Sequence, residues 1–306
     1  MSAPSSVSTT EQQNPRTREL DAMTIDEFLT TMNDEDRRVP VAVAAQIPQI
    51  SRAVELVVAA LAAGGRLIYQ GAGTSGRLGV LDAAECPPTF GTDPSQIVGL
   101  LAGGHGAMFE AVENAEDSAA LASADLEGIG LTDRDVVVGI AASGRTPYVI
   151  GGLDHARGVG AATVALACNT DAEISRHADV AIEVDNGPEV LTGSTRLKAG
   201  TSQKLVLNMI STAAMVRLGK VYGNLMVDVR PTNEKLVDRA VRIVQAATDC
   251  DRRTAETALA AADGHAKTAI VAILCGVDTD TARSRLSAAD GFVRGALAAP
   301  ASPAVL

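Results

Sequence analysis

Two short, almost wholly apolar runs in this chain end in turns of glycine and hydroxyl residues, and that arrangement leaves few folds open. Arg66-Leu67-Ile68-Tyr69-Gln70 leads directly into Gly71-Ala72-Gly73-Thr74-Ser75-Gly76-Arg77, and Asp135–Ala142 leads into Ser143-Gly144-Arg145-Thr146-Pro147. Continuous apolar strands, as opposed to alternating ones, belong to a parallel sheet covered on both faces. Val164–Cys168 and Val180–Val184 repeat the pattern, Gln96–Leu101 supplies a fifth strand, and helical segments separate them. The expected fold class is α/β: a three-layer αβα sandwich on a parallel five-stranded sheet. Its crossovers should be right-handed, with functional loops at the carboxyl ends of the strands.

The flanks read differently. Residues 1–19 are rich in Ser, Thr, Pro and Gln with almost no large apolar side chain, a composition that predicts disorder. Thr24 followed by Glu27 forms a capping box at a helix start, and helical spacing from Val39 to Ala63 stops at Gly64-Gly65. A long helix is expected over Leu197–Leu218. After the connector Val221–Val229, the Ala-rich remainder reads as four or five short helices. The expected organisation is thus a disordered 1–19, a catalytic domain over 20–229 and a small helical C-terminal domain over 230–306.

Composition narrows the function. Only 2% of residues are aromatic, so the core must be built from Ala, Val, Leu and Ile. A formal charge of −11 argues against nucleic acid or an anionic membrane as partner. No apolar run reaches the ~18 residues of a membrane span, and the N-terminus lacks a secretory pattern. The four Cys show no metal spacing and read as reduced thiols of a cytoplasmic protein.

Glycine-rich strand-to-helix turns expose backbone N–H groups at a helix N-terminus, and neighbouring hydroxyls add donors; together they bind a phosphate without a basic surface. A third such turn is Leu191-Thr192-Gly193-Ser194-Thr195-Arg196-Leu197-Lys198. The first turn is not a P-loop, because no Gly-Lys-Ser/Thr follows. Gly71, Gly73 and Gly76 satisfy a dinucleotide fingerprint, but Phe90-Gly91-Thr92-Asp93 stands where its acidic strand end should be. No cofactor is implied. Among carboxylates, Glu85 falls at the expected end of the helix that starts in the first turn, just before Pro87-Pro88. The helix dipole there favours the protonated form, which suits a general acid; a frayed surface position fits the residues equally well. Glu113 and Glu116 are three apart on one helix face, which for the residues alone favours a solvated surface. His105, His155, His177 and His265 form no metal-ligand spacing, and Ser75 and Ser143 lack a nucleophile's His–Asp partners.

The segments Gly71–Gly79, Asp82-Ala-Ala-Glu-Cys-Pro-Pro-Thr89, Ala115–Ser118, Gly139–Tyr148, Thr192–Gly200, Gly223–Asp228 and Thr232–Lys235 together resemble the N-acetylmuramic acid 6-phosphate etherase family. That family belongs to the sugar isomerase (SIS) fold group and is similar in part to glucokinase regulatory protein. The resemblance runs in order from Thr24 to Leu297. It implies an SIS-type sheet and metal-free cleavage of the D-lactyl ether of N-acetylmuramate 6-phosphate by elimination and then hydration, in amino-sugar recycling. By position, Glu85 would protonate the departing lactate and Glu116 would act at C2, while Glu113 would bind sugar hydroxyls. Thr74, Ser75, Arg77, Ser143, Gly144, Arg145 and Thr146 would hold the phosphorylated sugar, with Ser194 and Thr195 nearby. Lys198 would receive the lactyl carboxylate or the phosphate. The resemblance further implies a homodimer with its site near the subunit interface. Two other readings remain on the same fold: a sugar-phosphate isomerase, which needs no acid at a C3 leaving group, and a non-catalytic phosphosugar sensor.

Overall fold

The computed structural model describes residues 8–110, 112–229 and 234–298, and the five expected strands form one parallel sheet. They are β1 (Leu67–Gly71), β2 (Ile97–Leu101), β3 (Val136–Ala141), β4 (Ala162–Ala167) and β5 (Val180–Glu183), in the order β2-β1-β3-β4-β5. Leu67 pairs with Ile97 on one side and Val136 on the other, so β1 is an interior strand and every one of its residues is buried. The helices of this part are α1 (Ile25–Asp36), α2 (Val39–Ala44), α3 (Ile47–Ala62), α4 (Gly73–Phe90), α5 (Ala119–Gly128), α6 (Pro147–Val159) and α7 (Lys198–Arg217).

Strand periodicity sorts these helices into layers. Ile68 and Val137 join Tyr148, Val149 and Leu153 of α6 in one apolar cluster, together with Ala122 and Leu126 of α5. The intervening Tyr69 points the other way, where Gly79 of α4 lies against it. There Asp82 of α4 accepts hydrogen bonds from Tyr69 Oη at 2.8 Å, Asn208 Nδ2 at 2.6 Å and Ser211 Oγ at 3.2 Å, tying α4 and α7 to β1. The result is the expected three-layer sandwich.

Several local expectations need correction. The helical stretch from Val39 breaks after Ala44 and restarts at Ile47 with a bend of 61°; Pro48 sits in the first turn of α3, where its missing N–H costs nothing but where it cannot continue a preceding helix. Residues 8–19 are not a disordered tail. Thr10, Asn14 and Thr17 are buried, and their polar atoms are paired: Thr10 N–H donates to Asn169 Oδ1 at 3.1 Å and Thr17 Oγ1 to the Val190 carbonyl at 2.8 Å. Order here comes from buried polar pairing, which a search for large apolar residues overlooks. Residues 1–7 of that expectation lie outside the described residues, as do Thr232 and Asn233 of the sequence motif.

The chain divides into two compact units, one up to Ala84 with Pro94–Ser211, the other Glu85–Asp93 with everything from Thr212 onward. The division falls inside α7, upstream of the expected 229/230 boundary. The second unit contains α8 (Glu234–Thr248), α9 (Arg252–Ala261), α10 (Ala266–Cys275), α11 (Thr279–Ala288) and α12 (Val293–Ala298). Its core is aliphatic, centred on Val241, Val244, Ile270 and Val271. Asp251 and Asp278 cap α9 and α11 by accepting from Thr254 and Thr281 N–H. Asp228, half-buried, accepts from Lys267 Nζ at 2.9 Å and faces Lys220 Nζ at 3.2 Å.

A buried ion pair organises the first unit. Lys198 Nζ donates to Glu35 Oε2 at 2.7 Å and to the Asn186 carbonyl at 2.9 Å, and both charged side chains are 0% exposed. Asn14 and Arg16 also donate to Glu35, at 3.0 and 2.8 Å. Burial alone would favour the neutral acid, but the Lys198 hydrogen bond and charge, helped by Asn14 and Arg38, outweigh it and hold the Glu35 carboxyl below its ordinary range. Removing one partner strands a buried charge, so Lys198→Met should cost about 3–5 kcal/mol in urea unfolding, and the double Glu35→Gln, Lys198→Met change should cost less than the single one. A carboxylate depressed by folding contributes stability above its unfolded value and loses it as pH falls through the folded one. Wild-type stability should therefore drop more steeply than that of the double variant between about pH 5 and pH 3, measured by the same urea unfolding.

Candidate active site

Because β1 and β3 are neighbours, the turns that leave their carboxyl ends lie side by side, and each feeds a helix. After β1, the chain enters α4 at Gly73, and its first backbone bond within the turn runs from Gly76 N–H to the Ala72 carbonyl at 3.2 Å. The N–H groups of Gly73, Thr74 and Ser75 thus have no intrahelical acceptor. The turn can be this tight only because residue 76 is glycine: a Cβ there would lie 2.4 Å from the Gly71 carbonyl oxygen and 2.5 Å from Leu101. After β3, Ser143 and Gly144 turn the chain into α6, with Thr146 as N-cap and Pro147 in the first turn. Gly144 has φ +71 and packs so closely that a Cβ would meet that of Ala172 at 2.5 Å, so two separate constraints exclude a side chain.

Between these two helix starts lies a cleft of about 490 Å³. Ala72–Ser75, Ile140–Ser143 and Arg145–Pro147 line it, with Glu116, Asp117, Gly193, Thr195 and Glu11 around them. Two helix N-termini, five hydroxyls and one guanidinium facing one space can hold a dianion, while the carboxylates supply acid–base groups. Larger cavities, of about 750 and 760 Å³, lie in the second unit. The first is lined by Val237, Val241, Leu259 and alanines together with Glu234, Asp238, Arg252 and Glu256; the second touches the starts of α9 and α11, which Asp251 and Asp278 already cap.

Of the residues expected to bind or react, the fold brings Thr74, Ser75, Glu116, Ser143, Arg145, Thr146 and Thr195 to this cleft. Ser75 is buried and donates to Gln203 Oε1 at 3.1 Å. Glu116 is exposed, its carbonyl held by the Tyr148 N–H at 3.0 Å. Gly144 shapes the second turn without lining the space. Ser194 is half-buried in the third turn, its N–H bonded to the Leu191 carbonyl.

Other expectations are corrected by where the side chains go. Lys198 is not available to a substrate, since it is the buried partner of Glu35. Arg77 turns its guanidinium to backbone, donating to the Ala107 carbonyl at 2.8 Å and the Met108 carbonyl at 3.0 Å. Glu113 and Glu116 do not share a helix: residues 112–118 are turns, Asn114 has φ +62, and Ser118 caps α5, whose first residue is Ala119. Glu113 is exposed there. Glu85, on α4 and part of the second unit, is exposed, but it is not at a helix end. Pro87 and Pro88 lie inside α4, which continues to Phe90 and closes with Gly91 N–H on the Pro87 carbonyl at 3.0 Å. Their missing donors leave the carbonyls of residues 83 and 84 without the usual helical partner, a loss confined to the end of the helix.

The three glycine-rich turns also proved unequal. At the start of α7, buried Glu189 accepts from the N–H groups of Lys198 and Ala199 at 3.0 and 2.9 Å, so that helix N-terminus is satisfied internally. Burial pushes the Glu189 carboxyl up against these hydrogen bonds. Glu11, in the segment expected to be disordered, reaches the cleft instead, and no local signal marks it. Burial likewise pushes the Cys168 thiol up to about 12, in keeping with an inert structural thiol.

Comparison with known proteins agrees with this architecture. Residues 49–157 match the N-terminal SIS domain of glucokinase regulatory protein, 116–213 match the SIS domain, and 223–266 match the C-terminal lid domain of glucokinase regulatory protein. A phosphoheptose isomerase of Neisseria gonorrhoeae superposes with a TM-score of 0.50 over 62% of this chain and 98% of that one, at 20% identity, a likeness of fold. The N-acetylmuramic acid 6-phosphate etherase of Mycolicibacterium smegmatis is 66% identical over 89% of this chain and 91% of its own. A second, from Lactiplantibacillus plantarum, is 64% identical over 87% of this chain and 90% of its own. With a shared sequence of that extent and the SIS sheet beneath it, the chain belongs to the N-acetylmuramic acid 6-phosphate etherase family.

Proposed function

We propose that this protein is a carbon–oxygen lyase that cleaves the lactyl ether of N-acetylmuramic acid 6-phosphate in amino-sugar recycling, releasing D-lactate and leaving N-acetylglucosamine 6-phosphate. The observation that carries the reading is the single cleft in which the starts of α4 and α6, their hydroxyls and Arg145 face the same space as Glu116. The name borne by relatives 66% and 64% identical supports the substrate.

In this reading the phosphate sits on the free N–H groups of residues 73–75, with hydroxyls of Thr74, Ser75, Ser143 and Thr146 and the guanidinium of Arg145 as further donors. The sugar opens, and the C1 aldehyde makes the C2 proton acidic. Glu116 removes that proton; the C2–H electron pair becomes a C2–C3 double bond as the C3–O bond breaks. Glu85, assigned by the motif in which it stands, gives its proton to the departing ether oxygen and D-lactate leaves. Water then adds at C3, losing a proton to Glu85, while Glu116 returns a proton to C2. Glu113 binds sugar hydroxyls, and Ser194 and Thr195 bound the substrate from the third turn. The functional unit is a homodimer, and the reaction runs in the cytoplasm, where a phosphorylated sugar is retained by its charge.

Incubated with N-acetylmuramic acid 6-phosphate, the purified protein should release one D-lactate per sugar consumed and place one solvent oxygen on C3, read by mass spectrometry in isotopically labelled water. Aldose–ketose interconversion without lactate would instead make it an isomerase on the same fold. Glu116→Gln and Glu85→Gln should each lower kcat by about 10²–10⁴-fold while retaining affinity for N-acetylglucosamine 6-phosphate. A fall of less than roughly tenfold for either variant removes that carboxylate from the chemistry.

A further inference from the structure

Gln203 of α7 is a buried residue that the chemistry above leaves unused. It is 0% exposed, and its one side-chain hydrogen bond among the described residues is the 3.1 Å contact in which Ser75 Oγ donates to Oε1. Its Nε2, equally buried, has no hydrogen-bond partner among the described residues. An amide donor orphaned inside a protein is costly, and this one is attached to a side chain that touches the phosphate turn. Rotation about the bond to the amide carbon exchanges Oε1 and Nε2, because that torsion is broad and roughly two-fold.

We propose that Gln203 is a positioning residue that sets the direction of the Ser75 hydroxyl. With Oε1 toward Ser75, the hydroxyl proton is held by the amide and only oxygen lone pairs face the cleft. With Nε2 toward Ser75, the amide donates, its orphaned N–H is satisfied, and the Ser75 proton is released to an anion. A bound phosphate oxygen, an acceptor only, selects the second arrangement. The amide left behind then has an unpaired carbonyl oxygen, which interiors tolerate better than an unpaired N–H. The neighbourhood keeps α7 in place for this: Gly200 lies 3.6 Å, measured from an ideal Cβ, from Thr74, and Ser202 is bonded to the Ala199 carbonyl and to Asn186. The inference rests on the reading of this cleft as a phosphate site.

The test is a double-mutant cycle with Ser75→Ala, read as the dissociation constant of N-acetylglucosamine 6-phosphate by calorimetry and as the split between KM and kcat. Gln203→Met, similar in volume and without polar atoms, should weaken binding and raise KM about tenfold in the wild-type background, the worth of one hydrogen bond to a charged group. In the Ser75→Ala background the same change should alter binding less than about twofold, since coupled residues are non-additive. kcat should change much less than KM. Gln203→Glu, nearly isosteric but acceptor-only when ionised, should weaken the same ligand and so provides a second variant should the Met form fail to fold. An equal loss from Gln203→Met in both backgrounds would indicate mere packing and overturn the proposal, as would unchanged binding in Gln203→Glu. If the wild type bound N-acetylglucosamine no more weakly than its 6-phosphate, the phosphate site itself would be wrong and the inference would fall with it. A clear wild-type preference combined with additivity overturns the Gln203 role alone.

Discussion

Everything that this protein can do at its cleft depends on β1 and β3 being hydrogen-bonded neighbours. Helices that follow adjacent parallel strands start at the same edge of the sheet, so their unpaired N–H groups face one volume and their dipoles add there. A chain with a net charge of −11 can in this way offer an anion a favourable place without a basic surface. The glycines are part of the same constraint, because α4 can begin this close to β1 only where residue 76 has no side chain.

The third helix with a glycine-rich lead shows why convergence is selective. Glu189 occupies the first N–H groups of α7, and Lys198 is drawn inward to Glu35. These two carboxylates compensate polar groups that α7 and its leading loop would otherwise bury unpaired. They also fix the helix that carries Gln203 behind the turn after β1. Glu35 in turn collects Asn14 and Arg16 from the N-terminal segment, which holds that segment against the unit and lets Glu11 reach the cleft. Residues far apart in sequence thus meet through one buried charge.

Local patterns were sufficient for much of the fold. The five apolar runs became the five strands, the Thr24–Glu27 capping box formed with both of its hydrogen bonds, and the Ala-rich region separated into helices at its Asp and Gly turns. Where local rules failed, a tertiary contact or a cap had prevailed. Pro87 and Pro88 remained within the last turn of α4, and Ser118 delayed the helix that was expected to carry Glu113 and Glu116. Residues 8–19 lack apolar bulk, yet they are held by buried hydrogen bonds.

The amino-acid order by itself determined the parallel sheet, the glycine- and hydroxyl-rich turns that end its strands and the family, because strand periodicity, glycine spacing and motif order are all properties of neighbours along the chain. Which charged side chains face the cleft was decided only in three dimensions. Lys198 and Arg77 look as available as Arg145 on paper; one is buried by Glu35, another holds the carbonyls of Ala107 and Met108, and the third remains exposed beside the two helix starts. The physical reason is that a cation's availability depends on whether some distant acceptor has already neutralised it, and that acceptor is chosen by the packing of the whole unit.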